Sequence, residues 1–190
     1  SHGKIPRSDE GVTVKVAEDD SVDHVIFISY RWRQTLRQTA GDKPNPDDEL
    51  KTQFRRMVSS VETLVKQQRW DENKVGLWVD FGCIDQDDRV QQQRGVNSLA
   101  AVIRQVDAVI SLVDEEYYTR AWCSVEIAFA QRLRSRNRVP HWFLETSLTS
   151  SRGQGDLSEA DYSSVVAHHP EREPGDPNTL NISFEKDRPS

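Results

Sequence analysis

The 190-residue sequence contains two cysteines and no uninterrupted apolar run long enough to span a membrane. Two cysteines are too few for a disulfide scaffold. Because Cys83 and Cys123 each lie in an apolar context, we expect buried free thiols in a reducing compartment. A membrane-spanning helix requires roughly 20 consecutive apolar residues, and no signal-peptide pattern opens the chain. These absences predict a cytoplasmic protein without membrane contact.

The chain also lacks an excess of basic residues. Its formal net charge is −6, with 25 Lys and Arg against 31 Asp and Glu. Proteins that bind nucleic acid usually present a basic surface, so this balance argues against a nucleic-acid partner. The length suits one domain of ordinary size with flanking tails.

Motifs for phosphate and metal binding are missing as well. No Gly-rich phosphate loop occurs, which argues against a P-loop protein or a dinucleotide-dependent dehydrogenase. The acidic residues Asp85, Asp87 and Asp88 lack the glycine and distal glutamate of a calcium loop, so we interpret them as a solvated loop. We therefore expect neither a metal nor a cofactor.

Four apolar stretches of strand length alternate with helical patterns. The strands are expected at His24–Tyr30, Val75–Phe81, Asp107–Asp114 and Val139–Glu145. Helical patterns begin at Asn45–Glu49, around Leu99 and around Trp122. This alternation predicts an α/β fold, a flavodoxin-like open parallel sheet of four to five strands with helices on both faces.

We divide the chain into three parts. Residues 1–21 form a polar tail that opens with SHGKIP, typical of a tag remnant, and contains an expected edge strand at Val12–Val16. Residues 22–145 form the α/β domain, with a long connection over Arg33–Asp48. Residues 146–190 form a polar C-terminal extension, for which we expect a short helix near Glu159–Val165 and a last strand at Thr179–Glu185.

Glu126 is the most informative single residue. It lies within the apolar helix AWCSVEIAFA, four residues after Trp122, so both side chains share one helix face. An isolated carboxylate among apolar residues is costly unless it is paired or lines a cleft. Two interpretations follow: a structural glutamate with a hydrogen-bonding partner, or a site residue. Trp122 is likewise either a core residue or a platform for a ligand.

Residues after the first strand are expected to face the same cleft. In an open sheet, ligands bind at the carboxyl ends of the strands where the strand order switches. This rule places Ser29, Tyr30 and Arg31 beside the helix of Glu126. Ser29 would contact ligand or cap the strand, and Arg31 would bind a phosphate or face solvent. Asp80, which closes the second strand, would orient a loop or touch ligand.

Three stretches together resemble the TIR (Toll/interleukin-1 receptor) domain family: FISYRW, WVDFGCI and YYTRAWCSVE. The segment Tyr118–Glu126 is similar to the Tyr-x-x-(Ser/Arg)-x-Trp-Cys-x-x-Glu signature of plant and bacterial members. The resemblance covers residues 24–145. It implies self-association with like domains and, in NAD-cleaving members, a catalytic glutamate at the position of Glu126.

That resemblance implies a TIR-type NAD glycohydrolase in immune or cell-death signalling, with NAD as substrate rather than cofactor. An ionised Glu126 would stabilise positive charge at the anomeric carbon as nicotinamide leaves without needing an acid. Arg31 would pair with the pyrophosphate, while Tyr30 and Trp122 would pack against rings. The alternatives are a non-catalytic interaction module and a nucleoside deoxyribosyltransferase-like enzyme.

Overall fold

The computed structural model describes residues 3–15, 21–33, 46–114, 116–137, 140–145 and 157–159. The strands are β1 (His24–Tyr30), β2 (Val75–Trp78), β3 (Ala108–Val113), β4 (His141–Glu145) and β5 (Leu157–Glu159). The α-helices are α1 (Thr52–Gln68), α2 (Asp80–Cys83), α3 (Arg89–Ile103) and α4 (Ala121–Asn137). Short 3₁₀ turns lie at Ser8–Glu10, Glu72–Lys74 and Tyr117–Thr119.

The strands form one sheet with the order β2-β1-β3-β4-β5. The first four are mutually parallel, and β5 pairs antiparallel with β4. β2 lies on one side of β1, whereas β3 and β4 lie on the other side. The strand order therefore reverses between β1 and β3. The expected open α/β sheet of flavodoxin-like order is therefore confirmed.

Alternating side chains of the central strands supply two apolar layers. On one face, Ile26, Ile28 and Ile110 pack with Met57 and Leu64 of α1. On the other face, a second cluster brings together the strands, α3 and α4 through Phe27, Val109, Leu99, Ile103 and Ala130. Burial on both faces explains why β1 and β3 are nearly continuous apolar runs.

The first long helix begins later than the sequence pattern indicated. We expected a start at Asn45–Glu49, but α1 begins at Thr52. The two acids lie before the helix and cap it from outside. Asp47 accepts hydrogen bonds from the backbone amides of Gln53 and Phe54, and Asp48 accepts one from that of Thr52. Carboxylates suit this position because the first amides of a helix have no internal partners.

Two expected strands differ in extent and setting. The second was expected to run to Phe81 as a buried strand, but β2 ends at Trp78 and Asp80 already begins α2. It is also the edge of the sheet, so Leu77 is 43% exposed. The structure adds strand β5 at Leu157–Glu159, whereas the helix expected near Glu159–Val165 lies outside the described residues except for Glu159. The expected strand at Thr179–Glu185 lies outside the described residues, as does most of the long connection (residues 34–45).

The amino-terminal segment and the cysteines also correct the sequence-based expectations. Residues 12–15 are exposed and form no strand, whereas Ile5 is buried in the main core and Arg7 is buried beside it. Cys123 is buried as expected, but Cys83 is exposed. Among the described residues, no helix has the length and apolarity needed to cross a membrane.

Candidate functional site

A cleft of about 310 Å³ opens at the carboxyl ends of β1 and β2. A volume of this size suits a small ligand or one ring system of a larger one. Most of the predicted site residues line it: Tyr30, Arg31, Asp80, Trp122 and Glu126. Ser29 lies just behind, hydrogen-bonded to Glu126. The prediction that the end of β1 and the Trp122–Glu126 helix meet at one cleft is confirmed.

Glu126 projects from the second turn of α4 into the wall of this cleft. Ser29 Oγ lies 2.5 Å from Glu126 Oε2. Burial raises the pKa of Glu126 to about 8, the Ser29 hydrogen bond works against the rise, and the charge of Asp80 adds to it. In the free protein at neutral pH, Glu126 is therefore mostly a protonated carboxylic acid.

Asp80 is the second carboxyl group of the cleft and begins α2. It accepts hydrogen bonds from Trp32 Nε1 at 3.0 Å and from the backbone amide of Phe81 at 2.6 Å. The buried hydroxyl of Tyr30 lies close to this carboxylate without a well-formed hydrogen bond. Burial raises the pKa of Asp80, while the surrounding donors oppose the rise by stabilising its ionised form.

Aromatic side chains form much of the remaining wall. Trp122 is partly exposed and lines the cleft instead of being buried in the core. Trp32 and Trp78 also line the cleft. Cys123 also borders the cleft, but burial raises the pKa of its thiol well above the usual value. A thiol held neutral in this way is a poor nucleophile, which agrees with interpreting Cys123 as a small buried residue.

Arg31 lines the cleft but is held by carboxylates. Its Nε lies 2.7 Å and 3.0 Å from the two Asp114 oxygens, and its Nη1 is 3.2 Å from Glu116. Arg56 Nη1 lies 3.6 Å from Oδ2 of the same Asp114. Both arginines and Asp114 are buried. This network fixes the end of β1 against the end of β3, and it leaves the predicted phosphate role of Arg31 without geometric support.

The acidic, Gln-rich connection after β2 forms the opposite wall. The Gln86 amide donates to the backbone carbonyls of Asp80 at 3.2 Å and Ile84 at 2.9 Å, which folds the connection back on itself. Asp88 caps α3 by accepting from the amides of Val90 and Gln91. Asp85 accepts from the backbone amides of Asp87 and Asp88, and Asp87 pairs with Arg7 of the amino-terminal segment.

Sequence analysis overlooked three polar residues behind Glu126. The Tyr117 hydroxyl lies within hydrogen-bond distance of Ser29 and is 3.2 Å from Ser111 Oγ, which in turn is 2.7 Å from His141 Nε2. All three residues are fully or almost fully buried. A signal was present, because Ser111 interrupts an otherwise apolar strand and a buried polar group needs partners.

Comparison with known proteins points to a different family from the one that the motifs suggested. A family model described as "Heterokaryon incompatibility protein (HET)" matches residues 26–164, well over half of the chain. No curated protein and no solved structure gives a significant match. The matched segment contains most of β1, all of β2 to β5 and all the cleft residues named above.

The family match corrects the resemblance to TIR domains, which was wrong. The TIR-type NAD glycohydrolase function, its two alternatives and the immune-signalling role depended on that resemblance and are corrected with it. The physical reason is that the quoted motifs are short. The motifs are a strand that ends in Ile-Ser-Tyr and a Trp four residues before a Glu. Both are compatible with any open α/β sheet that has a carboxyl group at its switch point, so they are not specific to one family.

Proposed function

The chain belongs to the heterokaryon incompatibility (HET) family, and we propose that it is an enzyme that hydrolyses a glycosidic bond whose leaving group must take up a proton. The supporting observation is that protonated Glu126 shares a cleft with a second carboxyl group, Asp80. The family's name links it with heterokaryon incompatibility. We propose that this cleavage is the domain's contribution to that process.

The two carboxyl groups have environments suited to different roles. Glu126 is held protonated by burial and by the nearby Asp80 charge, so it can donate a proton to a departing atom. Burial raises the pKa of Asp80 as well, but its two N–H donors oppose that rise by favouring the ionised form. It can therefore stabilise positive charge on the sugar or activate a water. Pairs of carboxyl groups whose pKa values are separated by their surroundings serve these roles in glycoside hydrolysis.

The cleft also suits a substrate with a flat ring. Trp32, Trp78 and Trp122 offer aromatic surface, and the volume of about 310 Å³ accommodates a sugar with an attached ring. The expectation that NAD is the substrate required an ionised glutamate, whereas Glu126 is mostly protonated near neutral pH. NAD is therefore one test compound among several, and the proton-requiring glycosides are the favoured class.

The proposal is tested by incubating the purified domain with disaccharides, nucleosides and NAD, of which the first two need a proton on the leaving group, and measuring release of that group. We expect cleavage in the first two classes, falling as pH rises through about 8 because the acid form of Glu126 is lost. Glu126→Gln should reduce the rate by roughly 10²–10⁴-fold, the usual contribution of a general acid. Asp80→Asn should also reduce it.

Glu62→Gln is the matched control, since Glu62 is an exposed glutamate of α1 and does not line the cleft. Equal rates in Glu126→Gln and the parent would overturn the proposal. So would the absence of cleavage in every class by a folded domain at high concentration. The predicted self-association with like domains is a separate proposal, which sedimentation of the same samples would test.

A further inference from the structure

A continuous chain of hydrogen bonds leads from Glu126 into the sheet. Ser29 Oγ is 2.5 Å from Glu126 Oε2 and also bonds the Tyr117 hydroxyl. Tyr117 is 3.2 Å from Ser111 Oγ, and Ser111 Oγ is 2.7 Å from His141 Nε2. The chain therefore joins two titratable groups at its ends through three hydroxyl groups, each of which can donate one proton and accept another.

The route crosses three neighbouring strands on one face of the sheet. Ser29 and Ser111 are direct partners in the pairing of β1 with β3, and His141 pairs with Val109, two residues before Ser111. Their side chains consequently point to the same side, beneath α4. Tyr117, which is fully buried, fills the space between Ser29 and Ser111.

The apolar surroundings make burial of these polar side chains unfavourable unless they are fully hydrogen-bonded or serve a function. Apolar clusters flank the chain, with Phe27 and Val109 on one side and Val113 and Ile127 on the other. Buried polar groups destabilise a fold unless they are hydrogen-bonded, and fully bonded chains polarise one another. His141 is fully buried and does not line the cleft, so it contacts no substrate bound there.

We propose that His141 is a positioning residue that shares one proton with Glu126 through Ser29, Tyr117 and Ser111. In one state Glu126 holds the proton, each hydroxyl donates towards the sheet, and His141 Nε2 accepts. In the other state His141 Nε2 holds the proton, each hydroxyl donates towards the cleft, and Glu126 is a carboxylate that accepts from Ser29.

The exchange between these states balances. Glu126 gives its proton to Ser29, and the hydroxyl protons of Ser29, Tyr117 and Ser111 each move one place, the last to His141. One O–H bond at the carboxyl group is lost and one N–H bond at the imidazole is formed, while every hydroxyl keeps one proton. The chain thus stabilises Glu126 as a carboxylate when its proton has moved to His141.

The inference deepens the proposed function, but its test requires no substrate. Protein labelled with ¹⁵N-histidine and ¹³C-glutamate is titrated by NMR, following the Glu126 carboxyl carbon and the His141 ring nitrogens. We expect both to change with a common midpoint. Other ionisable groups near Glu126 also influence its midpoint: Tyr30, Asp80, Tyr117, Arg120 and Cys123. A Ser111→Ala substitution leaves all of them in place.

Tyr117→Phe keeps the ring and breaks the chain in its middle without altering either end, and Ser111→Ala breaks it nearer His141. Both should separate the two titrations and raise the Glu126 midpoint, because the carboxylate loses its aligned donors. The matched control is Tyr118→Phe, since Tyr118 packs edge-on against Tyr117 but is not a member of the chain. It should preserve the common midpoint.

His141 nitrogens that do not respond while Glu126 titrates would overturn the inference, as would unaltered coupling in Tyr117→Phe. If both chain-breaking variants fail to fold, Glu126→Gln decides the question: an unchanged His141 spectrum overturns the inference, and a changed one supports it. A coupled titration in a domain that cleaves no glycoside would contradict the proposed function while leaving the shared proton in place.

Discussion

Ser29 and Glu126 are 97 residues apart in sequence, yet their side-chain oxygens lie 2.5 Å apart. Ser29 lies in the buried part of β1, and Glu126 projects from α4, which follows the neighbouring strand β3. The contact exists because β1 and β3 are neighbours in the sheet, so the helix that follows β3 passes beside the end of β1. It opposes the rise in the pKa of Glu126 that burial causes, and it begins the route into the sheet.

The buried carboxyl group of Glu126 should make stability depend on pH. Its pKa is raised to about 8 in the folded chain from an ordinary value of 4.5, so the folded state binds more protons between these values. Its contribution is therefore fully present below about pH 4.5 and declines as pH rises to about 8, by at most roughly 1.4 kcal/mol per pH unit. Urea unfolding of the parent and Glu126→Gln at pH 5, 6, 7 and 8 measures this difference. Parallel pH profiles for the two proteins would contradict it.

Replacing Asp114 should strongly destabilise the fold. Asp114→Asn leaves the buried Arg31 and Arg56 without their shared carboxylate, and an uncompensated buried charge typically costs about 3–5 kcal/mol. Asp23→Asn breaks the exposed Lys74–Asp23 pair and should cost less than about 1 kcal/mol. Denaturant unfolding of both variants makes the comparison. Similar losses of unfolding free energy in the two variants would contradict a larger contribution from the buried Asp114 network.

Gly95 lies where α3 meets the cleft wall, and adding a methyl group there should be unfavourable. A Cβ at this position would lie 2.9 Å from both Cγ1 and Cγ2 of Ile84. We expect Gly95→Ala to lower the free energy of unfolding by about 1–3 kcal/mol, even though alanine favours helix by about 1 kcal/mol. Combining it with Ile84→Ala should cost less than the sum of the single changes, because the clash is removed. Additive losses in the double variant would contradict the clash.

The two thiols should react differently with a disulfide reagent such as DTNB. Cys83 is exposed and Cys123 is buried, so the folded protein should react at one thiol and the unfolded protein at both. Although Cys83 is exposed as a residue, its thiol is partly withdrawn from water, which raises its pKa, so its reaction at pH 7 should be slower than that of a free thiol. Cys83→Ser should abolish labelling of the folded state. Rapid labelling of two thiols without denaturant would be incompatible with this arrangement.

The strand pattern and the identity of the central residue could be predicted from the sequence. Nearly continuous β-branched runs such as His24–Tyr30 predicted buried parallel strands, and β1 has those bounds. A carboxyl group in an apolar helix predicted Glu126 as a site residue, because such a group is costly without a cleft or a partner. Local chemistry was sufficient for both.

Local patterns failed where a long-range contact decided the outcome. The helix before β2 begins at Thr52 rather than near Asn45, because Asp47 and Asp48 bind the helix amides from outside the helix. The Asp114 partner of Arg31 could not be predicted either, because it lies 83 residues away, and the expected phosphate contact of Arg31 stays a prediction. The TIR resemblance was wrong for a related reason. Short motifs reflect the local packing of one strand end or one helix face, so they do little to identify a family.

The sequence by itself determined which segments form strands and helices, since side-chain periodicity and burial act over a few residues. It also determined that a carboxyl group lies among apolar residues at Glu126. Only the tertiary structure decided that this carboxyl group is protonated, that Asp80 shares its cleft, and that Ser29, Tyr117 and Ser111 connect it to His141. Protonation and hydrogen bonding depend on distances between atoms, and those distances are set when separate strands pack side by side.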